Sequence, residues 1–322
     1  MKLKKSKNIS KTFFWGILTM LVLSSVFSSI NWITSWMAMV IGFIFAFFFK
    51  NPYEEKIENI TNKLLKLSII CIGFGYPIYS ITDLSSYSFY FIILFIITTL
   101  VVGFFIGKIL QVNSKISDLI TSGTTICGAS AIVAISSAIK ANEKELSIAL
   151  STVFILSASG LILFPIIGNY LGLTPHQFGI WAGVCIHDTA SSIGAAIDFD
   201  KNFSNYEAEK VAVVIKLAKV IFIVPLVFLG SYLYKENQRK ISFPYFIVFF
   251  IIAMFINSKF PDYNGFLFIK ELGKKGLQIS LFLIGSTLAI KEIIGIGIKP
   301  LIHGTLLWIT ISISSLLVII LL

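Results

Sequence analysis

Apolar runs long enough to cross a bilayer recur from one end of the chain to the other. A membrane-spanning helix needs about 20 mostly apolar residues. Of the 322 residues, 56% are hydrophobic and only 13% are charged, and the mean hydropathy is +0.90. A soluble domain of this size would need far more charged surface. We therefore expect one integral membrane domain over residues 1–322, with a basic cytoplasmic tail at 1–12.

The apolar runs resolve into eleven segments, which predict an all-α polytopic membrane protein with about eleven transmembrane segments. The fifth and seventh segments are rich in Gly, Ser and Thr and are weak as continuous helices. The segments are residues 13–30, 32–49, 63–82, 89–108, 117–139, 146–168, 176–197, 210–234, 242–258, 271–291 and 300–322.

The basic residues lie mainly between these segments, so the net charge of +10 indicates a positive-inside bias and no nucleic-acid partner. If every segment crosses and the N-terminus is cytoplasmic, inner loops hold 16 basic residues and outer loops hold 8. This favours a bacterial cytoplasmic membrane protein with its N-terminus inside and its C-terminus outside. A re-entrant segment at 117–139 would reverse everything that follows it.

Two distant segments share a pattern at a constant offset of 212 residues. LLKLSIICIGF occupies residues 64–74 and GLQISLFLIGS occupies residues 276–286. In the count of eleven, the two copies have opposite orientation, which predicts an inverted repeat of the kind found in secondary transporters.

The fifth segment contains the polar run SGTTICGASA at residues 122–131. A break in the helix there would leave free N–H groups at the new helix start, where an anion can bind. Close packing of small residues against another helix explains the same run, and the two explanations are compatible. The candidate substrate-binding residues of this run are Thr124, Thr125, Cys127, Gly128 and Ser130.

The seventh segment contains GVCIHDTASSIG at residues 183–194. A buried aspartate must be paired, hydrated or protonated, so we expect substrate binding to depend most on Asp188. His187 and Ser191 are further candidates. A hydrogen-bonded structural role explains His187 equally well.

Lys216 and Lys219 stand on one face of the eighth segment, well inside an apolar run. We expect Lys219 to pair with Asp188 or with a substrate. Two lysines against one aspartate leave an excess positive charge that suits an anion. Asp118 would cancel that excess if it faced the same cavity, and a lysine neutralised by burial would cancel it too. The spacing of Cys71, Cys127 and Cys185 suits neither a metal site nor a disulfide, and the sequence indicates no cofactor.

The runs GTTICGASAIVAISSAIKANEKE, GIWAGVCIHDTASS and VIKLAKV resemble the YeiH-type family of bacterial membrane proteins, commonly labelled sulfate exporters. The resemblance covers residues 63–300, and ICGASAI at 126–132 is its most specific motif. It implies discontinuous helices in a core bundle, a scaffold bundle and a homodimer. Lys219 stands where arginine is common in the family. A lysine keeps the charge but lacks the bidentate geometry that suits an oxyanion.

These features predict a secondary transporter rather than an enzyme. The expected substrate is a small anionic solute, such as sulfate, another sulfur oxyanion or an organic anion, with H+ or Na+ as a possible coupling ion. A cation/proton antiporter that uses Asp188 and the lysines is the alternative. A less favoured one is an intramembrane serine hydrolase, with Ser130 as nucleophile and His187 as base.

Overall fold

The computed structural model describes residues 10–21, 34–49, 51, 53–79, 86–203, 207–234, 245–287 and 297–321. Within these ranges the regular structure is helical and contains no strand, which confirms an all-α protein. Residues 10–21 are helical. The helices after them are α1 (Ser35–Phe48), α2 (Glu54–Gly73), α3 (Ser86–Ile109), α4 (Ser114–Thr125), α5 (Ala129–Ala138), α6 (Glu143–Tyr170), α7 (Pro175–Cys185), α8 (Thr189–Asp200), α9 (Glu207–Ile221), α10 (Ile223–Leu233), α11 (Tyr245–Lys259), α12 (Gly265–Thr287) and α13 (Ile298–Leu321).

Among the described helices, four are long and apolar enough to cross a membrane: Tyr90–Ile109, Glu143–Tyr170, Glu207–Leu233 and Ile298–Leu321. The chain groups into two compact units. The first unit comprises Met1–Ser80 and Tyr245–Ile290, and the second comprises Ile81–Pro244 and Lys291–Leu322. Both copies of the predicted repeat lie in the first unit.

The helices of the first unit follow the 212-residue offset. Shifted by 212, α1 would span residues 247–260 and α2 would span 266–285. The observed α11 and α12 match these bounds to within two residues. The repeat detected in the sequence is therefore a repeated pair of helices.

Contacts within the first unit are reciprocal between the two copies. The Asn51 side-chain amide donates to the carbonyl oxygen of Ser286, and the Asn257 amide donates to that of Phe74. These two acceptors are themselves 212 residues apart. Helix α12 packs against both α1 and α2, and α11 packs against α2. The end of each copy's first helix thus bonds to the end of the other copy's second helix.

The second unit contains two helical hairpins that turn back where a crossing segment was expected. The first hairpin is α4 and α5. The Lys115 ammonium at its start donates to the carbonyl oxygen of Lys140, just beyond its end, at 2.7 Å. A continuous helix would separate these residues by about 37 Å. The second hairpin is α7 and α8, in which the Phe178 and Phe199 rings stack with centroids 3.9 Å apart.

The two hairpins open at opposite ends of α6. The first opens beside Asn142, the residue that caps the start of α6. The second opens at the other end, where Gly168 packs against Phe178 and Phe199. Since α6 has 28 residues and is about 42 Å long, the openings belong to opposite sides of a bilayer. The fifth and seventh segments are thus re-entrant. Each re-entrant segment reverses the predicted orientation of everything after it. Because there are two such segments, the helices after the second hairpin keep the orientation predicted from the sequence.

Candidate functional site

The turns at the ends of the two hairpins meet halfway along α6. We call residues 126–128 the first tip and residues 186–188 the second tip. A Cβ on Gly128 would lie 3.3 Å from both Cα and Cβ of Asp188. The Asp188 N–H donates to the Ser157 hydroxyl at 3.1 Å. Ser157 is close to the midpoint of α6, so the tips meet near the middle of the bilayer.

The first tip is formed without charged side chains. Gly128 adopts φ 70° and ψ −123°, a conformation that only glycine adopts readily. Its N–H donates to the carbonyl oxygen of Gly123 at 2.9 Å. The hydroxyls of Thr124 and Thr125 donate to carbonyl oxygens one turn earlier in α4. They stabilise their own helix and leave the start of α5 uncapped.

The start of α5 is therefore a helix N-terminus without a bond from its N-cap side chain. Gly128 is its N-cap residue, with no side-chain capping hydrogen bond and no acidic residue in the first turn. The buried thiol of Cys127 lies beside Ser130 and the N–H of Ala131, and a thiol is only a weak acceptor. Ser130 is exposed. Free N–H groups and the helix dipole favour an anion at such a position.

The second tip is stabilised by charged side chains on both sides of the break. The Asp188 carboxylate caps the start of α8 by accepting the Ser191 N–H at 2.8 Å. The Lys216 ammonium donates to the carbonyl oxygens of Gly183 and Ile186, at the end of α7. Positive charge is favourable at a helix C-terminus, so the lysine compensates the broken end.

Lys219 makes the same kind of contact, donating to the carbonyl oxygen of Val184 at 2.7 Å. The expected Lys219–Asp188 pair is therefore wrong. The free carbonyl groups of α7 attract the lysine, because a helix end leaves its last carbonyl oxygens without partners.

Asp118 lies away from the tips. Its carboxylate accepts a hydrogen bond from the Tyr234 hydroxyl at 2.6 Å, beside a cavity of about 180 Å³ lined mainly by apolar side chains. Asp118 is ten residues before Gly128, or about 15 Å along the hairpin. It does not cancel the positive excess at the tips.

Two buried side chains at or beside the second tip lack hydrogen-bond partners among the described residues. They are the His187 ring, at both nitrogens, and the Ser191 hydroxyl, and each residue is 0% exposed. No hydrogen bond joins His187 to Ser130, as the hydrolase hypothesis would need.

The structure thus gathers all ten predicted site residues at or beside the two tips: Thr124, Thr125, Cys127, Gly128, Ser130, His187, Asp188, Ser191, Lys216 and Lys219. Sequence reasoning missed Ser157. A serine in the middle of an apolar helix is a weak signal, and nothing in the sequence connects it to Asp188. Within the described part of the chain, no group of three or more His, Cys, Asp or Glu side chains could hold a metal ion.

Comparisons with known proteins place this architecture in a family. A family described as "Conserved hypothetical protein 698" matches residues 7–304. A UPF0324 membrane protein of Bacteroides thetaiotaomicron is 40% identical over 290 residues, covering 88% of this chain and 86% of that protein. One from Porphyromonas gingivalis is 37% identical over 323 residues, covering 96% of each chain. The chain belongs to the UPF0324 family.

UPF0324 membership confirms the family resemblance seen in the sequence motifs. The names of these relatives describe membrane proteins and state no substrate. No solved structure matches the chain. The hairpins and tips described above therefore supply the structural basis for an argument about function.

Proposed function

We propose that this UPF0324 protein is a secondary transporter of a small anionic solute, such as sulfate, another sulfur oxyanion or an organic anion. One observation carries the proposal: two re-entrant hairpins meet mid-membrane, with an uncapped helix N-terminus on one tip and two buried lysines behind the other. Broken helices that present their ends at the bilayer midplane are the usual way in which transporters bind ions and small solutes.

The charges at the tips favour an anion. When both are protonated, Lys216 and Lys219 contribute two positive groups, and Asp188 contributes one negative group that already caps α8. The free start of α5 adds partial positive charge. The carboxylate of Asp118 is engaged elsewhere, by Tyr234. An anion at the tips would therefore enter a site with a net positive field.

The arrangement of the hairpins supports transport rather than hydrolysis. Each hairpin begins and ends on its own side of the bilayer, and both reach the same central point. Opening of one side at a time would give alternating access to a site at the tips. A hydrolase would need a base in contact with Ser130, whereas both nitrogens of His187 are without partners in the described residues.

We further propose a bacterial cytoplasmic membrane location, with the first hairpin opening to the cytoplasm. The re-entrant first hairpin moves Lys140 and Lys144 to the inner side. The split of basic residues then changes from 16 inside and 8 outside to 18 inside and 6 outside. This stronger bias supports a cytoplasmic N-terminus and an outer C-terminus. The homodimer stays a prediction, to be checked by light scattering of the purified protein.

Cysteine labelling of intact cells tests the orientation. Lys201→Cys, beside the opening of the second hairpin, should react with a membrane-impermeant maleimide from outside. Lys140→Cys should react only after the cells are permeabilised. The parent for both is a variant in which the three native cysteines are replaced by serine. The opposite pattern would reverse the orientation, and labelling of both sites from one side would contradict the two-hairpin arrangement.

The transport proposal is tested with proteoliposomes on a solid-supported membrane. Sulfate, sulfite, thiosulfate, a sulfonate and acetate are applied with and without a pH gradient. We expect a saturable current for at least one anion and its loss in Asp188→Asn. Asparagine caps a helix about as well as aspartate, so this variant removes the charge and keeps the cap. Currents driven only by sodium or protons would favour the cation/proton antiporter instead.

A further inference from the structure

Two tryptophans in the second unit flank one phenylalanine but differ in their hydrogen bonding. Phe164 stacks on Trp181 with ring centroids 4.0 Å apart and on Trp308 with centroids 5.8 Å apart. The Trp181 indole N–H donates to the carbonyl oxygen of Ser312 at 3.0 Å. The Trp308 indole nitrogen is buried and has no partner among the described residues. The indole N–H thus has a hydrogen-bond acceptor at position 181 and has none among the described residues at position 308.

Trp308 lies beside the second tip. Its ring centroid is 6.2 Å from that of His187, whose two nitrogens are also unpartnered in the described residues. The Ser312 hydroxyl, one turn further along α13, is buried and lies beside the Cys185 thiol, which is only a weak hydrogen-bond partner. A buried polar group without a partner costs about 1–3 kcal/mol. Such groups are rare in native proteins, so a cluster of them at a candidate site points to a ligand.

We infer that Trp308 and His187 donate hydrogen bonds to the transported anion, so that α13 contributes a specificity-determining residue to the site. This inference rests on the proposed function and narrows it. An indole N–H can only donate, and a neutral imidazole has one N–H to donate. Neutral donors aimed from two directions select an anion with several acceptor oxygens, such as an oxyanion or a carboxylate, over a spherical halide.

The position of the donors agrees with this role. Helix α7, which ends at the second tip, packs along α13: Trp181 bonds to Ser312, and the Cys185 thiol lies 2.9 Å from the Ser315 hydroxyl. Lys216 and Lys219 are directed to the carbonyl oxygens of α7, so they supply charge behind the tip. Direct recognition then falls to neutral groups, among which Trp308 is available because its N–H has no bond to any residue that the structure describes.

The two tryptophans offer a matched test in the full-length protein. Trp308→Phe keeps an aromatic ring in the stack and removes only the indole donor. Trp181→Phe does the same at the position where the donor is already satisfied. Sulfate, thiosulfate, acetate and chloride serve as probes, with Kd measured by calorimetry, KM and kcat by transport current, and Tm by thermal unfolding in detergent.

We expect Trp308→Phe to raise the Kd and KM for its anion roughly tenfold or more, as expected for a lost hydrogen bond to a charged ligand. Its kcat, Tm and chloride response should stay close to wild type. Trp181→Phe should lower Tm and leave Kd unchanged. His187→Phe should weaken binding as Trp308→Phe does, and His187→Gln, which keeps a donor, should restore part of it.

Three results would overturn the inference. If the wild type binds an anion and Trp308→Phe binds it equally well, Trp308 does not contact the substrate. If Trp308→Phe lowers Tm but leaves Kd unchanged, its indole N–H has a structural role. A wild type that binds none of the probes would overturn the proposed function itself, together with this inference, and is recognised before any variant is compared.

Discussion

Both hairpin tips reverse the direction of the chain, but different interactions stabilise them. The first tip turns through a glycine in a left-handed conformation, and its hydroxyl groups bond back to their own helix. The second tip turns through extended residues and is stabilised by charge, with Asp188 at one helix start and two lysines at the other helix end. One tip relies on backbone conformation and the other on hydrogen bonds from acidic and basic side chains to the helix ends.

This difference assigns different roles to the tips. Where charged side chains already bond to the helix ends, the ends have little capacity left for a ligand. The start of α5 has no N-cap side-chain bond, and the Cys127 thiol beside the Ala131 N–H is only a weak acceptor. We therefore regard the first tip as the anion-facing backbone surface, and the second tip as the source of the positive field. His187 and Ser191 are the polar groups of the second tip that remain without partners in the described residues.

The largest effect is expected at Gly128. Alanine there must adopt φ near 70° and ψ near −123°, and its Cβ must fit 3.3 Å from Asp188. Strained backbone of this kind costs about 1–3 kcal/mol, and the contact pushes the tips apart. Gly128→Ala should lose transport and lower Tm, measured by proteoliposome current and thermal unfolding.

Gly172 provides the matched control for Gly128. It also has a positive φ, of 64°, but a Cβ there would have no atom within 4 Å. Gly172→Ala should therefore lose about 1 kcal/mol of stability and keep transport. Equal loss of transport in both variants would show that backbone strain alone, and not the meeting of the tips, explains the effect.

Much of this arrangement could be predicted from the sequence. Apolar length gave the positions of the helices, and the Gly-Ser-Thr content of residues 122–131 indicated a break near Gly128. The return of each hairpin was not predictable in the same way, since a segment of about 23 apolar residues has the same composition whether it crosses or turns back. Only a contact between distant residues, such as Lys115 with Lys140, distinguishes the two cases.

The lysine contacts were missed for a related reason. Spacing placed Lys216 and Lys219 correctly on one buried helix face. Rules for side-chain pairs then favoured Asp188 as the partner, because a sequence displays charged side chains and not free carbonyl groups. The acceptors at Gly183 and Val184 exist only because α7 ends inside the membrane. Carbonyl acceptors that a helix break creates can be predicted only when the position of the break is known.

Substitution of either lysine should have an effect of intermediate size. Which of the two has the larger effect distinguishes stabilisation of the α7 end from contact with the substrate. Lys216 donates to two carbonyl oxygens and Lys219 to one. Hydrogen bonds to charged groups contribute about 1.5–3 kcal/mol each, so Lys216→Met should lower Tm more than Lys219→Met. Lys144→Met, at an exposed position, should leave Tm unchanged. A larger effect of Lys219→Met, on anion KM rather than on Tm, would restore the sequence-based expectation that Lys219 contacts the substrate.

The smallest effect on transport is expected near the opening of the first hairpin, far from both tips. Tyr234→Phe and Asp118→Asn each weaken or remove one hydrogen bond, and each should cost about 0.5–3 kcal/mol of stability. The double variant should cost less than the sum of the two, because both changes affect the same bond. Neither change should alter the anion KM, since Asp118 is about 15 Å along the hairpin from Gly128. A lower KM in Asp118→Asn would mean that its charge reaches the tips after all. The positive excess that favours an anion would then be smaller than the two lysines and one aspartate imply.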